Sequence, residues 1–123
     1  MRLLLIIGAG SFMGGIFRFL LSRCIQEKIF TSFPLGTLSV NIIGCFLIGC
    51  VFGLSEKSDL SQEWRLFMVT GLCGGFTTFS AFSQETLSLL RDGQYAYAGI
   101  YVGASLLLGL ISTLAGIYTL KLL

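Results

Sequence analysis

The chain has 123 residues, of which 54% are hydrophobic and 11% charged, and its mean hydropathy is +0.89. A soluble domain carries charge on about a quarter of its residues, so this composition excludes one and points to a membrane protein. Eight basic against six acidic residues leave a net charge of +2, which argues against a nucleic-acid partner, and the lack of histidine removes the commonest metal ligand and general base.

The charged residues divide the sequence into four long apolar stretches. About 20 apolar residues cross the hydrocarbon core as a helix, and Leu3–Leu21, Leu35–Leu54, Leu66–Leu90 and Tyr95–Leu120 each supply them. The first stretch imitates a secretory signal. However, Arg18 stands where a cleavage region belongs and three more spans follow, so it is read as a retained helix. Arg18 is close enough to the end of this span for its side chain to reach the headgroups or to raise the anion concentration at a pore mouth. Ser22–Pro34 has room for a short interfacial helix. In the second span Asn41 follows Thr37 by one turn, so both project to nearly the same face. A buried amide needs a partner, either on another helix or in a polar pathway.

After the charged loop Ser55–Arg65, with Trp64 at the membrane edge, comes a third span of unusual composition. Gly71, Gly74 and Gly75 fall within five positions, and Thr77, Thr78, Phe79, Ser80, Phe82 and Ser83 follow. Each glycine costs a helix up to about 1 kcal/mol relative to alanine, so a break is expected over Gly74–Thr78. Carbonyl oxygens freed there must be satisfied by protein, water or a cation, and with no carboxylate nearby sodium suits them better than calcium. The alternative is an unbroken helix whose glycines permit close packing. Beyond this point Phe79, Phe82, Ser83 and Thr86 share one face, with Ser80 at its margin. Ring edges carry positive potential and hydroxyls donate hydrogen bonds, so this face suits either an anion path or simple packing. Glu85 is the single acid within a span, and Arg91-Asp92-Gly93 turns the chain into the fourth. The four cysteines, at 24, 45, 50 and 73, form no Cys-x-x-Cys pair and read as packing residues.

Four spans place both termini on one side. Arg2, Lys57, Arg65 and Lys121 then face Arg23, Lys28 and Arg91, with Arg18 near the latter edge. This near-tie under the positive-inside rule predicts insertion in both orientations and an antiparallel, dual-topology homodimer; the alternative is one orientation chosen by a subtler bias. Glycine pairs spaced for helix contact occur at Gly10/Gly14, Gly49/Gly53, Gly71/Gly75 and Gly99/Gly103.

Three stretches, Gly14 to Phe19, Pro34 to Asn41 and Gly71 to Phe82, together resemble the CrcB/Fluc family of bacterial fluoride channels, and the resemblance spans essentially the whole chain. It implies an all-α membrane protein of the bacterial inner membrane, with four transmembrane helices, a broken third helix and a dual-topology homodimer. It further implies two fluoride pores and a structural sodium ion held by the backbone carbonyls of Gly74 and Thr77 from both copies. Phe79 and Phe82 would be the pore phenylalanines and Asn41 the amide donor, with Ser80, Ser83, Thr37, Glu85 and Thr113 along a polar track. Ala81 departs from a threonine common in the family, and Gly109 from a serine found in some relatives. The implied activity is passive fluoride export, with no ATP site, and the chain has no phosphate-binding Gly-x-x-x-x-Gly-Lys loop.

Two other classes share the size and composition. A proton-coupled small multidrug transporter needs an acid in the first span, which is absent, although Glu85 offers a substitute. A non-transporting membrane assembly factor would use the same aromatic and hydroxyl residues for packing. An enzyme is not expected, because serine, cysteine and glutamate occur without a positioned base or metal.

Overall fold

A computed structural model describes residues 1–123. The chain is all helical: α1 (Arg2–Lys28), α2 (Leu35–Lys57), α3 (Gln62–Arg65), a π-helical segment (Leu66–Cys73), α4 (Gly74–Phe76), α5 (Phe79–Arg91) and α6 (Tyr95–Leu122). Four helical units are long and apolar enough to cross a membrane: Arg2–Lys28, Leu35–Lys57, the joined Gln62–Arg91 and Tyr95–Leu122.

The interfacial helix expected within Ser22–Pro34 is not separate, because α1 runs on to Lys28. Residues 22–28 contain neither glycine nor proline, and Arg23 donates to Glu27 one turn later at 2.6 Å. At 27 residues α1 is about 40 Å long, beyond the ~30 Å hydrocarbon core, so its end stands among headgroups. Gln26 then fixes the return. Its Nε2 donates to the Thr31 and Phe33 carbonyls at 3.2 and 3.1 Å, while its Oε1 accepts from the Gly36 amide at 3.0 Å.

The helices pack as two pairs that are not sequence neighbours: α1 against the π-helical segment and α4, and α2 against α6. Glycine permits both contacts. A methyl group on Gly10 would sit 2.6 Å from the Phe67 carbonyl oxygen, and one on Gly75 would sit 2.6 Å from that of Ser11. In the other pair, a methyl on Gly53 would come within 2.6 Å of the Ile117 carbonyl oxygen, and Gly49 lies against Thr113 and Gly116. Three of the four spaced glycine pairs are thus consumed inside one chain, whereas Gly99 and Gly103 have nothing within 4 Å. A small core of Leu38, Leu89, Ala98 and Tyr101 forms where α2, α5 and α6 meet. At the opposite end Arg2 pairs with Glu63 and Lys121 with Glu56, both exposed and each worth little stability.

The third span begins at Ser61, whose hydroxyl accepts from the Trp64 amide at 3.2 Å as a helix cap. It then widens into the π-helical turn and bends. The departure expected over Gly74–Thr78 is confined to two residues: Gly74–Phe76 stay helical, while Thr77 (φ −89°, ψ 154°) and Thr78 (φ −148°, ψ 119°) are extended. Gly71 and Gly75 serve the approach to α1, so they favour packing over a break. Thr78 restarts the helix by accepting from the Ala81 amide at 3.2 Å.

Candidate functional site

The bend leaves backbone groups without helical partners, and side chains from two neighbouring helices take some of them. Asn41 of α2 clamps Thr78 from both sides: its Nδ2 donates to the Thr78 carbonyl at 3.2 Å and its Oδ1 accepts from the Thr78 amide at 2.9 Å. One amide hydrogen of Asn41 remains for another acceptor. Arg18 of α1 donates through Nε to the Gly75 carbonyl at 3.1 Å, so its side chain reaches the third span. Gly74 is exposed, and a methyl group placed there would meet only the Val69 carbonyl oxygen, at 3.5 Å. Its backbone is therefore open on the outward side of the chain. Thr77 turns its hydroxyl back to the Cys73 carbonyl at 2.9 Å.

A groove of about 270 Å³ opens at this bend. Asn41, Cys45 and Ile48 line it from α2, Thr77, Thr78, Phe79 and Phe82 from the bent span, and Ser105 and Leu106 from α6. Phe79 is 78% exposed at its edge. From there aromatic rings run continuously toward the far end of the bundle. Phe79 lies 5.5 Å from Phe82, Phe82 5.1 Å from Tyr101, Tyr101 5.7 Å from Phe33 and Phe33 5.5 Å from Tyr97, all tilted or edge-on. Such geometry turns the positive ring edges toward neighbouring groups.

Polar groups accompany the rings. Thr37 and Tyr101 flank the Glu85 carboxyl, yet Glu85 Oε1 and the hydroxyls of Tyr101 and Ser105 are buried without a hydrogen-bond partner of good geometry. Orphaned polar atoms of this kind are costly unless water or an ion satisfies them. Glu85 also lines a second, polar hollow of about 260 Å³ with Gln26, Ser32, Ser88, Asp92 and Gln94. A single chain therefore carries polar groups from the bend at mid-span to the end where α1 stops.

The expected residues divide. Asn41, Phe79 and Phe82 share the groove, and Thr37 and Glu85 lie on its continuation. Ser80 and Ser83 are exposed on α5, with Ser80 bonded to Thr78 through their hydroxyls at 3.1 Å. Thr113 is elsewhere: its hydroxyl donates to the Gly109 carbonyl at 3.0 Å, and its backbone belongs to the α2–α6 contact. Sequence reading missed Tyr101 and Ser105. Their signal was a tyrosine and a serine one turn apart in an apolar span, which places both on one helix face.

The sequence model of the family described as "CrcB-like protein, Camphor Resistance (CrcB)" matches residues 5–117. Curated relatives match over nearly the full length of both chains. A protein of Chlorobium phaeobacteroides (strain BS1) is 48% identical over 120 residues, covering 97% of this chain and 93% of its own. One of Phocaeicola vulgatus is 42% identical over 118 residues (96% and 98%), and one of Flavobacterium psychrophilum 41% over 122 residues (98% and 98%). All three are named "Fluoride-specific ion channel FluC", the name of an ion channel and not of an enzyme. The chain is accordingly a multi-pass membrane protein and belongs to the CrcB family.

Proposed function

We propose that the chain is a fluoride-selective passive channel that lets cytoplasmic fluoride leave the cell, working as an antiparallel dual-topology homodimer with a structural sodium ion at the bent third spans. The observation that carries this reading is the groove at the bend. There the exposed ring of Phe79, the free amide hydrogen of Asn41 and the unpartnered hydroxyl of Ser105 converge at the start of a continuous run of aromatic rings, along which the buried Tyr101 hydroxyl also lacks a partner. These are neutral donors. They attract a small anion without the fixed charge that would hold it too tightly to conduct. Relatives named as fluoride channels supply the identity of the ion.

Within one chain the groove is open on the Phe79 side, and a second copy supplies the missing wall. The Gly99/Gly103 face, unused in this chain, offers that copy a close approach. The near-tie in loop charge supports an inverted partner.

The bend also fits a hard monovalent cation. Its donors are neutral carbonyls at the end of α4, Thr78 has lost the helical bond its amide would make to Gly74, and Gly74 faces outward, where a second copy would meet it. Gly74 and Thr77 would hold the ion through their carbonyl oxygens. Sodium, when bound, supplies fixed positive charge that ties the two bent spans together.

The test is efflux from liposomes containing the purified protein, with an ionophore to dissipate the membrane potential and chloride as the parallel ion. Rapid fluoride release with little chloride release is the expected result. Release of neither ion from folded protein would overturn the channel reading.

A further inference from the structure

We infer that Arg18 is a positioning residue for the bent third span, acting through the Nε–H that holds the Gly75 carbonyl and not through its charge. The inference rests on the proposed cation site, because Gly75 lies between the two residues, Gly74 and Thr77, whose carbonyls would form it.

The local packing explains why this one side chain can reach. Gly75 presses against the α1 backbone: a methyl group on it would sit 2.6 Å from the Ser11 carbonyl oxygen and 3.2 Å from the Gly15 amide nitrogen. Arg18 follows Gly15 by one turn, and Ser11 precedes Arg18 by two, so both side chains leave the same face of α1. Ser11 Oγ is 3.5 Å from the Gly71 carbonyl, and Arg18 Nε is 3.1 Å from that of Gly75. The contact is therefore bracketed by a donor at each end. In a continuous helix the Gly75 carbonyl would accept from the Phe79 amide, but the extended residues Thr77 and Thr78 carry that amide away. A carbonyl freed inside a membrane must find another donor, and Arg18 provides it. With Gly75 fixed from α1 and Thr78 clamped by Asn41 from α2, both ends of the bend are held by side chains of different helices.

The atom that makes the contact separates this role from electrostatics. Nε is the fourth atom beyond Cα along the arginine side chain. Glutamine carries its amide nitrogen at that same place, whereas lysine has a methylene there and its ammonium one bond further out. Arg18→Gln thus keeps the donor and removes the charge, and Arg18→Lys does the reverse. Arg18→Met fills similar space with neither.

Purified dimer of each variant is followed by size exclusion as sodium is replaced by N-methylglucamine, and the sodium concentration that half-maintains the dimer is read. Arg18→Gln is expected to hold that midpoint within about twofold, while Arg18→Lys and Arg18→Met raise it about tenfold, the scale of one lost hydrogen bond. Amide hydrogen exchange over residues 74–80 is measured on the same samples, with faster exchange expected in Lys and Met but not in Gln. If the unaltered protein shows no sodium dependence, the sodium reading fails, and the exchange pattern alone decides the Arg18 contact. A normal Lys variant with a defective Gln variant assigns the role to charge and overturns the inference. Equal behaviour of Gln and Lys, whether both normal or both defective, overturns it too.

Discussion

Asn41→Ala removes both hydrogen bonds that clamp Thr78, at 3.2 and 2.9 Å, and leaves an amide and a carbonyl of a half-buried residue without partners. Side-chain hydrogen bonds within membrane proteins average about 0.6 kcal/mol and reach about 1.7, so two of them amount to roughly 1–3 kcal/mol. The groups left behind are backbone and lie in an apolar surrounding, which moves the expectation to about 2 kcal/mol. Part of this is recoverable if Thr78 turns back and donates to the Gly74 carbonyl, but that repair straightens the span and moves Phe79 out of the groove. Stability and conduction should therefore both suffer. Asn41→Asp keeps an acceptor for the Thr78 amide but sets a carboxylate against the Thr78 carbonyl, and should be no better than alanine. Reversible detergent denaturation gives the stability change, and fluoride efflux from liposomes gives the function. An Asn41→Ala protein within about 0.5 kcal/mol of the parent, a change typical of an unimportant surface site, and with parental efflux, would refute the clamp.

Replacing either ring at the groove, Phe79→Ile or Phe82→Ile, should reduce fluoride efflux at least tenfold while size exclusion still reports a dimer; normal flux in both would place the anion path elsewhere. Gly49→Ala should destabilise the folded chain by about 1–3 kcal/mol, because the added methyl meets the Thr113 backbone and a close-packed contact gives way poorly. Gly99→Ala meets no atom of its own chain within 4 Å and should leave that stability intact while weakening self-association. Denaturation and cross-linking distinguish the two, and equal destabilisation would show that Gly99 is not a free face.

The four spans were legible because charge is so sparse that its gaps mark the membrane. Their ends were less so. The helix of Arg18 continues past Leu21 to Lys28 because a polar segment without breakers, carrying the Arg23–Glu27 pair, extends a helix as readily into headgroups as an apolar one does. Glycine content led to the expectation of a break over Gly74–Thr78, yet the span bends as one joined helix, Gly74–Phe76 are helical and the extended residues are two threonines. Propensity counts the cost of glycine in an isolated helix and has no knowledge of α1, whose backbone profits from the same glycines. Asn41, Phe79 and Phe82 could be found because an amide and a hydroxyl-flanked aromatic pair stand out in an apolar run. Tyr101 and Ser105 did not, since one turn of tyrosine and serine is common at membrane positions. Thr113 entered through the family resemblance alone, and within one chain its hydroxyl donates to the Gly109 carbonyl of its own helix.

The pairing of α1 with the third span, and of α2 with α6, also governs how the chain is made. Helices enter the bilayer in the order of synthesis, so the first two arrive together while the main partner of each is still to come. Gln26 can join them early, since every bond it makes lies between residues 26 and 36. The Gly49/Gly53 face of α2 stays bare until the last helix is inserted, because both glycines pack against residues from Thr113 onward. A chain interrupted before that point exposes a narrow, lipid-accessible cleft along α2.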